Sequence, residues 1–318
     1  MICAWKAGTT TEAAIVGGPT IESTRDYWVL HLKSEGRAER TITTYLNALR
    51  RLDAFFVDRG MPRELRAIRR EHLEAWIADM LGRNQAGTVS IAFRAVRPFF
   101  RWLVDKDETD RNPMDKMKAP APPLNPPSVL NNEEVARLLA TAKGTDFISR
   151  RDLAILSLML DTGIRRGEVA GMRVGDLNLG QMVAFIEAST SKSRRGRAVA
   201  FGPTTAKAIT RYLRHPKAPH APQEPLWRAS TGLPLTGNEI YHTVRRRAQQ
   251  AEIAVHPHQL RHTWASRMLG SGHSEGDVMA LGGWSSRDML NRYGASAASD
   301  RAIAAYRSPI ESLTRKGR

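Results

Sequence analysis

Cysteine is almost absent from this chain of 318 residues: Cys3 is its one example, so no internal disulfide and no multi-cysteine metal cluster can form. A reducing interior is the expected home. Long apolar runs are missing too. No stretch approaches the roughly 20 residues of a membrane span, and the first residues lack the basic, apolar and cleavage regions of a secretion signal. We therefore expect a soluble, cytoplasmic protein with no membrane partner. Negative charge is the third deficit, with 32 Asp and Glu against 48 Lys and Arg and a formal net charge of +16. Such an excess attracts polyanions, and nucleic acid is the first partner to consider. Charge alone does not decide, because ribosomal proteins, heparin binders and membrane-surface proteins share it.

The length is suited to two domains, each able to bury its own core. Residues 1–20 show neither helical nor strand periodicity and read as a mobile tail. A helix is predicted from a Ser23 cap to Gly36, and a second from about Thr41 to Gly60 with Tyr45, Leu46, Leu49, Leu52 and Phe56 on one stripe. Leu73, Trp76, Ile77, Met80 and Leu81 mark a third. Val96, Phe99, Phe100, Leu103 and Val104 mark a fourth, in which Pro98 should cause a kink or a break. Together they predict a small helical bundle over 21–112, with Arg50, Arg51, Arg94, Arg97 and Arg101 on its polar faces. Six prolines between Asn112 and Pro127 predict a stiff linker over 113–128.

A second domain is expected over 129–318. Asn131 and Glu134 form a capping pair, a buried helix runs from about Arg151 to Gly163, and MVAFIEA (182–188) and RAVAF (197–201) read as a hairpin around a basic turn. Helices resume after Pro203 and are predicted near 237–252, 258–270, 275–281, 286–293 and 299–307. The fold class is mainly α with a small β-hairpin or sheet, an α+β arrangement.

Three segments carry chemistry: DTGIRRGEVAGMRVGDL (161–177), HPHQLRHTWASRML (256–269) and LGGWSSRDMLNRY (281–293). Together they resemble the tyrosine recombinases, the phage-integrase type of enzyme. The box Thr-Gly-any-Arg-any-any-Glu is met by Thr162, Gly163, Arg165 and Glu168, and the box His-any-any-Arg-His by His258, Arg261 and His262. Tyr293 follows Trp284 at the family's spacing of nine, and KSRRGRAVAF resembles the turn that carries the family's lysine, here Lys192.

The resemblance implies a helical core-DNA-binding domain joined to a catalytic domain as a C-shaped clamp. It further implies DNA cleavage and rejoining through a 3′-phosphotyrosyl intermediate, with Tyr293 as nucleophile. Phosphoryl transfer builds negative charge on non-bridging oxygens, which fixed cationic forks stabilise well. Arg165 and Arg261 fit that role, Glu168 would hold a guanidinium in place, His258 would assist proton transfer and Lys192 would protonate the leaving hydroxyl. Where many members have histidine this chain has Trp284, whose indole can donate a hydrogen bond but cannot shuttle a proton. Arg194 and Arg195 would grip phosphates, and Arg166 reads as a solvated neighbour. His258 and His262 also have the spacing of a zinc helix, but Gln259 stands where a metalloprotease needs glutamate, and the resemblance implies neither metal nor other cofactor.

The implied partners are double-stranded DNA with inverted-repeat core sites and, on that DNA, a homo-tetramer in which Ala304, Ala305 and Tyr306 would dock on a neighbour. Accessory proteins would be further partners. The short tail favours simple core sites. A type IB topoisomerase and a non-catalytic DNA-binding regulator remain as alternatives.

Overall fold

The computed structural model describes residues 18–122, 128–187, 196–284, 286, 287, 290 and 306. It divides into two compact units, Met1–Pro123 and Leu124–Arg318. The first is helical: α1 (Ile21–Ser34), α2 (Glu39–Asp58), α3 (Arg70–Arg83) and α4 (Ala86–Asp105). Leu49, Leu52 and Phe56 of α2 meet Leu73 and Trp76 of α3 and Val96, Phe99 and Phe100 of α4 in one core, whereas Leu81, expected on the stripe of α3, is exposed near the end of that helix. Trp28 of α1 stacks on Tyr45 at 5.7 Å and meets Phe99 edge-on at 5.1 Å.

Three expectations are corrected in this unit. The cap of α1 is Thr20, whose hydroxyl accepts from the Ser23 N–H, and Ser23 answers from the third helical position. The Leu65 N–H donates to the Pro19 carbonyl at 2.9 Å, so Pro19 and Thr20, expected in the tail, belong to the folded unit. Finally, α4 runs through Pro98 without a break. The carbonyl deprived of its donor is that of Arg94, an exposed residue where solvent can take the place of the missing N–H. The segment expected as linker contributes Met114 and Met117 to this same core.

The second unit holds α5 (Asn132–Ala140), α6 (Phe147–Thr162), α7 (Arg166–Gly171), β1 (Leu177–Asn178), β2 (Val183–Ile186), β3 (Arg197–Ala200), α8 (Pro203–Leu213), α9 (Gly237–Gln250), α10 (Pro257–Gly270) and α11 (Glu275–Gly282). The strands form an antiparallel sheet in the order β1-β2-β3. Fold class is thus mainly α with a small sheet, as the sequence predicts. The Asn131 and Glu134 capping box is present at α5, and α6 starts earlier than predicted, at Phe147, because Asp146 caps it.

Helix α6 is the buried spine of this unit and packs against α8 and α10. Its Asp152 is fully buried and accepts four hydrogen bonds, two from Arg151 at 2.7 and 3.0 Å, one from Arg246 at 2.7 Å and one from Arg247 at 2.9 Å. That carboxylate ties the spine to α9. Among the described residues no helix is long and apolar enough to cross a membrane.

Candidate active site

The first motif box is built at the C-terminus of α6. Gly163 ends the helix in the left-handed region (φ 60°), and a Cβ there would lie 2.1 Å from the Trp264 ring, so both backbone and space require glycine. Thr162 donates its hydroxyl back to the Leu158 carbonyl at 2.6 Å. Arg165 then sits at the N-cap of α7, and Glu168, at the third helical position, accepts from the Arg165 backbone N–H at 2.8 Å and from its guanidinium at 2.9 Å. The predicted pairing is present, through a helix cap rather than a shared helical face.

Glu168 is buried at 1% exposure and has a second cationic partner that sequence reading did not identify. Arg197, the first residue of β3, grips it bidentately at 3.0 and 2.8 Å. Burial by itself would push the Glu168 carboxyl up. The Arg197 and Arg165 hydrogen bonds and charges outweigh it and hold the carboxyl below the usual range. The Arg197 side chain is 9% exposed and turned inward.

The second box lies on the first turns of α10. Pro257 occupies the first helical position, where its missing N–H costs nothing, and Gln259 serves the cap by accepting from the His256 N–H at 3.0 Å. Arg261 is buried and donates to the Gly163 carbonyl and to the Gly282 carbonyl, both at 2.6 Å. Its guanidinium lies 4.2 Å from the Trp284 ring centroid, within cation–π range. Trp284, itself buried, also packs on Trp264 at 5.9 Å. These contacts pack the indole between Arg261 and Trp264.

Arg165 reaches the same turn, donating to the Gly283 carbonyl at 3.0 Å. The two motif arginines, about a hundred residues apart in sequence, are therefore anchored to adjacent carbonyls. His258 completes the group. Burial pushes its pKa below the ordinary value, and the positive charge of His256, Arg261, Arg166 and Arg165 adds to the effect. The shift favours the neutral imidazole. Arg166, read as a solvated neighbour, instead lies over the Tyr241 ring at 5.4 Å.

Tyr293, Lys192, Arg194, Arg195, Ala304 and Ala305 lie outside the described residues, while Tyr306 is exposed. Of the other tyrosines, Tyr212 is a poor nucleophile, since burial pushes its phenol up to about 12 and its hydroxyl donates to the Leu226 carbonyl. In the first unit Arg94, Arg97 and Arg101 line one hollow of about 400 Å³ with Arg37 and His31. Arg50 and Arg51 are exposed on α2 and do not line it. Sequence reading also missed a basic wall on α9, where His242, Arg245 and Arg246 line a hollow of about 750 Å³.

The model of the phage integrase family matches residues 128–300, and that of the phage integrase N-terminal SAM-like domain matches 25–110. The chain belongs to the phage integrase family. It is similar to the tyrosine recombinase XerD of Shewanella oneidensis, with 26% identity over 78% of this chain and 81% of the relative. The tyrosine recombinase XerC of Mycobacterium bovis is 29% identical over 79% of this chain and 86% of its own. Among solved structures, a lambda integrase dimer bound to a core site superposes with a TM-score of 0.71 at 17% identity, covering 86% of this chain and 95% of that one. XerH bound to a palindromic difH substrate gives 0.70 at 18% identity, covering 90% and 83%. The tyrosine recombinase assignment made from the motif boxes is borne out, and with it a recombinase activity.

Proposed function

We propose that this integrase-family recombinase cleaves and rejoins double-stranded DNA by transesterification at Tyr293. The observation that carries the reading is the anchoring of Arg165 and Arg261 to adjacent carbonyls. Two rigid guanidinium groups held in this way meet the charge that develops on a phosphate without reorganising at the moment of reaction. The phenol oxygen of Tyr293 attacks phosphorus, the Tyr–O–P bond forms and the bond from phosphorus to the 5′ oxygen breaks. The phenol proton passes to His258, whose neutral ring has a lone pair to accept it, and Lys192 supplies the proton that the 5′ oxygen collects.

A 5′-hydroxyl from a partner strand then attacks the 3′-phosphotyrosyl phosphorus and releases Tyr293. One phosphoester bond is made for each broken, so the joining step draws on energy kept in the covalent link. Two such exchanges need four protomers, and the duplex would present inverted-repeat core sites. Solved relatives support these partners, being a lambda integrase dimer at a core site and a lambda integrase tetramer on a Holliday junction. Arg94, Arg97 and Arg101 around one hollow, with Arg50, Arg51, Arg194 and Arg195, would contact phosphates.

The test uses nicked suicide DNA bearing a candidate attachment site, with the natural chain and its Tyr293→Phe variant. A complex surviving denaturing electrophoresis with the natural chain alone supports the reading. Specific binding by both with no covalent complex from either would instead indicate a DNA-binding regulator, and supercoil relaxation without any need for two sites would indicate a topoisomerase.

A further inference from the structure

Three consecutive backbone carbonyls at the C-terminus of α11 each accept a hydrogen bond from a different arginine. Leu281 accepts from Arg197 Nε at 2.7 Å, Gly282 from Arg261 at 2.6 Å and Gly283 from Arg165 at 3.0 Å. A helix C-terminus carries the partial negative charge of its last carbonyls, so cations are stabilised there. Two of these arginines belong to the motif boxes. The third does not. Each nitrogen of Arg197 is bonded to protein: Nε to Leu281, and the two terminal nitrogens to the two oxygens of Glu168.

Gly283 is matched to this arrangement. Its φ of 63° lies in the left-handed region, and a Cβ on it would approach the Arg197 guanidinium to 3.1 Å. Arg197 therefore joins three chemistry-bearing segments. Through Glu168 it reaches the carboxylate that holds Arg165, and through Leu281 it fixes the turn that enters Trp284 and, nine residues later, Tyr293. By chain position it is also the strand residue five places after Lys192.

We propose that Arg197 is a positioning residue for the recombination reaction, setting the Glu168 carboxylate and the Leu281–Gly283 turn in one register so that Arg165 and Arg261 meet the same phosphate. This rests on the reading of those two arginines as phosphate ligands given above. Lysine cannot replace it, because one ammonium cannot span both Glu168 oxygens and the Leu281 carbonyl in the planar fork that arginine supplies.

The experiment compares Arg197→Lys with the natural chain on nicked suicide DNA, measuring DNA affinity, the single-turnover rate of covalent complex formation and the melting temperature. We expect affinity within about threefold of the natural chain and a rate lower by roughly 10- to 100-fold, the scale of loss for a misplacement near 1 Å. An unchanged rate overturns the proposal, as does a loss of affinity that accounts for the whole loss of rate, since Arg197 would then be a DNA ligand. If the lysine variant melts below the assay temperature, the comparison moves to Arg197→Met with Glu168→Gln, in which both buried charges are removed together. Slower cleavage by this pair than by Glu168→Gln alone supports positioning, and equal rates overturn it. Absence of a covalent complex from the natural chain itself would refute the phosphotyrosyl reading, an outcome distinct from every result of the Arg197 comparison.

Discussion

Replacing Gly163 by alanine asks two separable things of the protein, and the structure contains a control that divides them. The new side chain must adopt φ near 60°, and its Cβ must share space with the Trp264 ring, 2.1 Å away. The left-handed conformation costs about 1–2 kcal/mol, and forcing an extra methyl group into a filled core costs about 1–3 kcal/mol more. A gain of about 0.4–1 kcal/mol from the stiffer unfolded chain offsets part of this. Gly272, in the same unit, has φ 91° and open space around its Cβ position, so Gly272→Ala carries the backbone cost without the clash.

At roughly 2–4 °C per kcal/mol for a domain of this size, Gly163→Ala should melt about 2–12 °C below Gly272→Ala. Thermal unfolding followed by circular dichroism reads the difference. The Gly163 carbonyl also accepts from Arg261, so the Gly163 variant should lose covalent complex formation even below its melting point. Equal melting temperatures for the two variants would refute the claim that the Trp264 contact dictates glycine at this position.

Other consequences are equally direct. Asp152→Ala leaves Arg151 and Arg247 buried without their carboxylate and should cost about 3–5 kcal/mol, read as a lowered urea midpoint. Because the Glu168 carboxyl is held below its ordinary value, its contribution to stability is full above about pH 4.3 and is lost as pH falls through the folded value. Glu168→Gln should therefore flatten the acid limb of the unfolding curve. His258 is also depressed, so its neutral state favours the fold above about pH 6.5 and acidification from there should cost stability. A stability titration of His258→Gln lacking that step would support this assignment, and an unchanged step would contradict it. Lys192→Ala should slow cleavage of ordinary DNA yet regain speed on a substrate whose 5′ oxygen is replaced by sulfur, a leaving group that needs no proton. Failure of the sulfur substrate to restore the rate would remove the acid role from Lys192.

Much of the fold was legible in the sequence because periodic burial is a local signal. The stripes of α2, α3 and α4, the all-round apolar spine α6 and the alternation of β2 and β3 each state which face is buried without reference to a partner. Boundaries were less legible, because a cap depends on one hydroxyl finding one N–H. Ser23 and Thr20 are both reasonable caps until the chain shows which of them lies at the helix start. Pro98 was read as a kink or a break because proline removes one helical hydrogen bond, and α4 continues through it.

The identity and order of Arg165, Glu168, His258, Arg261, Trp284 and Tyr293 were decided by the sequence alone, since their types and spacings carry the family resemblance. Tertiary structure decided what these groups lean on. Arg197 shares the inward face of β3 with Val199, and an arginine at an apolar strand position was the one signal that it is buried. Its partner Glu168 lies 29 residues away and its carbonyl at Leu281 lies 84 away. No local pattern encodes such distances, because the favourable contact exists only once α7, β3 and α11 have packed and water has been excluded from the carboxylate between them.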